Sequence, residues 1–298
     1  VFGSASTTRR ALALAGALLG LPLPGRAQDL SFRDVLRLKA TPADARIAYG
    51  PAPQQFGELW LPSGRGPHPV AIVIHGGCWS ASYAEGHVRP ACAALAQAGV
   101  AAWCLEYRRL GDEGGGWPGT FEDVARGADQ LRQIAGPRGL DLTRVVAVGH
   151  SAGGPLALWL AARRRLPVTD PLRGASPLPL RGVVGLAGIP DLARAAIERV
   201  CGDAVPLLLG GSPEAQPQRY AATSPAALLP LGVPQQLVHG RADRIVPIGL
   251  AERYVAAARD RGDPARLVPL DAAGHFDLIT PTSRAWPSVV KAVRTLLE

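Results

Sequence analysis

The sequence predicts an α/β fold built on a doubly wound, mostly parallel sheet, and three observations predict it. Short continuous apolar runs rich in valine and isoleucine recur along the chain, and helical patterns lie between them. The chain has 298 residues and is 47% hydrophobic, enough for one large core. A parallel strand is covered on both faces and needs no polar alternation, which is why the runs are continuous. Strand alternating with helix calls for right-handed βαβ crossovers and a single domain over residues 28–298.

The elements follow in order. Residues 1–27 read as an export signal: Arg9 and Arg10, an apolar run over 11–23, then Gly25-Arg26-Ala27 as a small-residue cleavage site. The paired arginines also fit a twin-arginine signal, and a cytoplasmic chain with an amphipathic start is the alternative. The run is too short to span a membrane, and no integral membrane segment is expected after it. Removing Arg9, Arg10 and Arg26 with no acid takes the formal charge from +8 to +5. The remaining arginines are scattered and form no long basic block, which argues against nucleic acid as a partner.

A strand over 56–61 ends at Pro62, and the glycines and prolines of 64–69 make a turn. Further strands are expected over 70–74, 100–105, 145–148, 182–186, 237–239 and 265–270. Helices are expected over 88–98, 121–134, 155–164, 250–261 and 288–297. The segment 188–234 has no clear periodicity and is broken by Pro190, Pro206, Pro213, Pro217, Pro225 and Pro230. It reads either as a small cap insertion or as a meandering surface loop with a short helix.

In such sheets, reactive groups sit on loops beyond the carboxyl ends of strands. Gly149-His150-Ser151-Ala152-Gly153 stands there, between the strand 145–148 and the next helix, and matches the GxSxG nucleophile elbow. A serine hydroxyl needs a base to take its proton, and the elbow's chain order puts an acid and then a histidine after it. His275, in the loop after the strand 265–270, fits the base. His68 lies at the wrong edge, His87 near a helix start, and His239 reads as a core or supporting residue. Asp243, after the strand 237–239, fits the acid that orients His275; Asp191, Asp271 and Asp277 are weaker candidates. A developing oxyanion needs donors, and His75-Gly76-Gly77-Cys78-Trp79 leaves the strand 70–74 with two glycines that let backbone N–H groups approach. The donors expected are Gly77, Cys78 and Ala152.

Cys78, Cys92, Cys104 and Cys201 allow three pairings, which spacing does not separate, and a buried free thiol is the simplest reading of each. None sits in a metal-binding spacing, and neither metal nor cofactor is expected.

The HGGCW loop at 75–79, Glu106-Tyr107-Arg108, the elbow, Asp243 and Gly274-His275 together resemble the esterase and kynurenine formamidase group of α/β hydrolases, which includes relatives of hormone-sensitive lipase. The resemblance runs from about Gly57 to the end. It implies the α/β hydrolase fold and a serine hydrolase acting on a small-molecule carboxylic ester, activated amide or formamide through an acyl-enzyme. It also implies that the HGGxW loop gives the oxyanion donors, and that Trp117, in the glycine-rich segment 111–120, borders the acyl pocket or else lies in a surface turn. A non-catalytic binding protein on the same fold is the reading from another class.

Overall fold

Eight strands form one sheet in the computed structural model, which describes residues 1, 3 and 30–298. Most of the expected export signal lies outside the described residues. The strands are β1 (Ala45–Ala48), β2 (Phe56–Trp60), β3 (His68–Ile74), β4 (Ala101–Leu105), β5 (Leu140–His150), β6 (Gly182–Leu186), β7 (Gln235–Gly240) and β8 (Ala265–Leu270). Their order is β1-β2-β4-β3-β5-β6-β7-β8. From β4 through β8 every neighbouring pair is parallel, while β1 and β2 add an antiparallel edge.

The helices are α1 (Phe32–Leu36), α2 (Arg89–Gln97), α3 (Gly119–Asp129), α4 (Leu131–Arg138), α5 (Gly153–Ala162), α6 (Leu192–Ile197), α7 (Ala204–Leu209), α8 (Pro217–Thr223), α9 (Gly249–Asp260) and α10 (Trp286–Leu297). Strand residues alternate between two cores. Val70, Ile72, Ile74, Val145 and Ala147 face α3, α5 and α9; Ala71, Val73, Val146 and Val148 face α2 and α10. Both faces are covered, so the buried stretches 70–74 and 145–148 are apolar throughout, and each large side chain buried there contributes about 1.5–3 kcal/mol.

Three expectations are corrected. The helix expected over 121–134 is two helices that meet at Gln130. β5 begins at Leu140 rather than at 145, because its polar start pairs with β3 at His68 across a register shift. Cys78 and Cys201 are not free thiols: they form a disulfide with Cα atoms 5.7 Å apart, while Cys92 and Cys104 are buried and free. Segment 188–234 folds into α6, α7, α8 and a helical turn at Pro225–Leu228, burying Leu192, Val205, Leu208, Leu209 and Tyr220 in the core.

Candidate active site

β5 lies centrally, between β3 and β6, and the chain turns sharply where it ends. Ser151 takes a φ of +54°, a left-handed conformation that costs a non-glycine residue about 1–2 kcal/mol. The turn needs both motif glycines. A Cβ on Gly149 would lie 2.1 Å from the Gly153 carbonyl oxygen, and one on Gly153 would lie 2.2 Å from that of Ile74. Its geometry is fixed from outside too: the Ser151 N–H donates to the Leu186 carbonyl at 2.8 Å, at the end of β6. Ala152 then opens α5, whose N-terminal dipole points its positive end at the serine.

His275 follows β8, and its Nδ1–H donates to Asp243 Oδ2 at 2.8 Å, leaving Nε2 as the free ring nitrogen. Ser151 and His275 line the same cavity. The Asp243 side chain is fully buried, and its Oδ1 accepts the N–H groups of Ile245 (2.8 Å) and Val246 (2.9 Å). His239 sits 3.5 Å from Oδ2 and donates to the Val246 carbonyl at 2.9 Å, so this strand-end histidine holds the acid's loop. Burial alone would raise the Asp243 carboxyl. The hydrogen bonds from His239 and His275, the charge of His275 and the Val246 N–H outweigh it and hold the group well below the usual carboxylate range. The other acids are engaged elsewhere: Asp191 caps α6, Asp271 pairs with Arg241 on the surface, and Asp277 accepts the Gly274 N–H.

The loop after β3 carries three consecutive positive φ angles, at Gly77 (+110°), Cys78 (+50°) and Trp79 (+55°). This turns the Gly77 and Cys78 N–H groups away from secondary structure. Among the described residues, neither they nor the Ala152 N–H donate to a protein acceptor. Gly76 must stay small, since a Cβ there would lie 2.8 Å from both the His150 carbonyl oxygen and the Ser151 Cβ. The His75 ring stacks on Tyr107 at 4.4 Å; its Nδ1 lies 2.8 Å from the Gly76 carbonyl oxygen and its Nε2 lies 3.0 Å from Glu106 Oε1. Tyr107 O–H donates to the His75 carbonyl at 2.9 Å, and Arg108 binds Asp123 through two 2.7 Å contacts. Glu106-Tyr107-Arg108 thus scaffolds the loop. Trp79 is buried in the core.

His150, noted in the sequence only as a motif position, lines the cavity and donates from Nε2 to the His275 carbonyl at 3.1 Å. Burial, with the neighbouring His275 adding to it, pushes its imidazole well below the usual range. The cavity has a volume of about 170 Å³ and is walled by Phe32, Tyr83, His87, Ile245 and Phe276. Sequence reading missed these walls: they come from four separate stretches with no shared pattern. Trp117 is not among them. It lies in another cavity with Pro217 and Arg219, whose guanidinium sits 5.5 Å over its ring. Its N–H is tied to the Leu208 carbonyl at 2.8 Å, which turns it toward α8 instead. Among the described residues, no group of three or more His, Cys, Asp or Glu side chains is placed to hold a metal ion, and no helix is long and apolar enough to cross a membrane.

Comparison with known proteins finds that residues 58–256 match the BD-FAE family. Esterase LipQ of Mycobacterium tuberculosis is 25% identical over 226 residues, covering 72% of this chain and 52% of that protein. A 90-residue stretch is 34% identical to a non-reducing polyketide synthase of Preussia isomera, covering 28% of this chain and 4% of that one. The chain thus spans about half the length of one curated relative and a small part of the other. A truncated carbohydrate esterase from gut microbiota shares the fold at a TM-score of 0.75 and 18% identity, over 92% of this chain and 99% of that one.

Proposed function

The chain belongs to the BD-FAE family on the α/β hydrolase fold, and from that membership we propose that it is a serine esterase with Ser151 as nucleophile, His275 as base and Asp243 as orienting acid. One observation carries this reading. Ser151 is held at a φ of +54° in the same cavity as a histidine whose far ring nitrogen is already engaged by a buried carboxylate.

Ser151 Oγ attacks the ester carbonyl carbon while His275 Nε2 takes its proton, and Asp243 stabilises the imidazolium that forms. The oxygen gains negative charge and meets the N–H groups of Gly77, Cys78 and Ala152, each such donor being worth about 3 kcal/mol to the barrier. Collapse expels the alcohol with the proton from His275, and water then releases the acid by the same path. No step calls for a metal or cofactor. A cavity of about 170 Å³ is below the roughly 300–1,000 Å³ common for ligand sites, which favours a short acyl group. The disulfide between Cys78 and Cys201 and the signal-like residues 1–27 support work in an oxidising, exported setting.

The test is labelling by a fluorophosphonate probe together with turnover of p-nitrophenyl acetate through octanoate. Wild type is expected to label and to favour the short esters, and Ser151→Ala to lose both labelling and turnover, the latter by about a millionfold. A folded wild type that neither labels nor turns over any ester would overturn the reading.

A further inference from the structure

The wall of the Ser151 cavity includes a polar side chain with no part in the chemistry above. His87 is 5% exposed and sits in the helical turn Glu85–Val88 that leads into α2. Its Nδ1–H donates to the Ala84 carbonyl at 2.7 Å, which leaves Nε2 as a lone-pair acceptor. Among the described residues Nε2 has no hydrogen-bond partner, and it is not one of the polar atoms sealed from solvent without one. The ring is wedged edge-on between Phe32, at 5.5 Å, and His75, at 5.7 Å.

This placement is braced in advance. Arg109 donates to the Tyr83 carbonyl, and Glu106 accepts the Glu85 N–H at 3.1 Å. The stretch 83–87 is thereby tied to the same scaffold that holds the oxyanion loop. Burial, with His75 adding to it, pushes the His87 imidazole down to about 3, so the ring stays a neutral acceptor at ordinary pH.

We propose that His87 is a specificity-determining residue, whose Nε2 accepts a hydrogen bond from a hydroxyl of the bound substrate and so selects hydroxylated esters over their alkyl counterparts. An alkyl group filling the cavity strips water from Nε2 and gives nothing back; a hydroxyl replaces that water. A site built to bind a hydroxyl discriminates against the analogue lacking it, more strongly than an apolar wall discriminates by size. The small cavity puts the hydroxyl within a few bonds of the scissile carbonyl.

The inference rests on the esterase reading, and the experiment separates the two. The ratio of kcat/KM is measured for methyl lactate against methyl propionate, with the hydroxyl on the acyl side, and for 2-hydroxyethyl acetate against propyl acetate, with it on the alcohol side. Wild type is expected to favour the hydroxylated member of at least one pair by about tenfold. His87→Phe, or His87→Leu should the first not fold, is expected to bring that ratio to near one. His87→Gln, which returns an acceptor, is expected to restore part of it. Fluorophosphonate labelling of Ser151 reports that each variant retains its site. Hydrolysis of the alkyl esters without preference in wild type, or a preference that survives in His87→Phe, would overturn the inference alone. Failure of wild type to label or to cleave any of the four would overturn the esterase reading and this inference with it.

Discussion

His150 donates from Nε2 to the backbone carbonyl of His275, 125 residues away in sequence and 3.1 Å away in space. The residue beside Ser151 therefore fixes the backbone of His275, and the two rings pack at 4.6 Å.

Replacing His150 by leucine strands that carbonyl without a donor in a buried site, at a cost of about 1–3 kcal/mol. If the cost falls on the position of His275, kcat drops by roughly ten- to a hundredfold with KM little changed. Steady-state kinetics beside a thermal melt distinguish this from a general loss of stability.

Asp243→Asn keeps the shape of the acid but offers an N–H where His275 needs an acceptor, so the ring turns to the wrong tautomer. A fall in kcat of about four orders of magnitude is expected, with fluorophosphonate labelling slowed in parallel. Asp191→Asn keeps the α6 cap, since an amide oxygen also accepts the Arg194 N–H, and should leave kcat near wild type.

Stability should decline on acidification. His87, buried and held down to about 3 from an ordinary 6.5, and His150, held well below its ordinary value by burial, bind protons in the unfolded chain but not in the fold. Stability from both is complete above pH 6.5 and lost as pH falls. Glu85 runs the other way. Burial and its hydrogen bond to the Glu106 carboxylate raise it from 4.5 to about 7, so between those values the fold holds a proton that the unfolded chain has lost. Its contribution is present below pH 4.5 and is lost as pH rises to 7. Glu85→Gln removes this opposing slope and should steepen the acid loss of stability between pH 4.5 and 6.5. Chemical denaturation at half-unit pH steps reads it; parallel curves for the two proteins would refute the assignment.

Cys201→Ser should destabilise the fold by about 2–4 kcal/mol, because the disulfide closes a loop of 123 residues in the unfolded chain. It should also lower kcat, since Cys78 holds a positive φ in the proposed oxyanion loop with Cys201 as its anchor. A reducing agent should bring wild type to the variant's melting temperature and leave the variant's own unchanged.

Much of this was legible from residues alone. The continuous apolar runs at 70–74 and 145–148 located the two strands that lead into the HGGCW loop and Ser151, because a strand covered on both faces buries successive side chains alike. Chain order and strand ends pointed to Asp243 and His275, and the fold brings the two within 2.8 Å of each other. What stayed hidden depended on distance in sequence. β1 has four residues with an alternating half-exposed pattern that β2 completes only by pairing. Cys78 and Cys201 meet through the segment of α6 and α7, which the prolines left open between a small cap and a surface loop with a short helix. Phe32, His87, Ile245 and Phe276 converge from four stretches, and no local pattern marks an aromatic residue as a cavity wall.

The glycine contacts around Ser151 bear on how the molecule tolerates change. At Gly149 and Gly153 the obstacle to any side chain is main-chain oxygen, which cannot rotate aside as a neighbouring side chain can. Mutation there has no compensating partner to recruit. The walls at Phe32 and Tyr83 belong to short segments outside the sheet and apart from the loops of Asp243 and His275, whereas Ile245 gives its N–H to Asp243 and Phe276 packs on the His275 ring. A library meant to widen or reshape the range of accepted substrates should therefore start at Phe32 and Tyr83 and leave the elbow untouched.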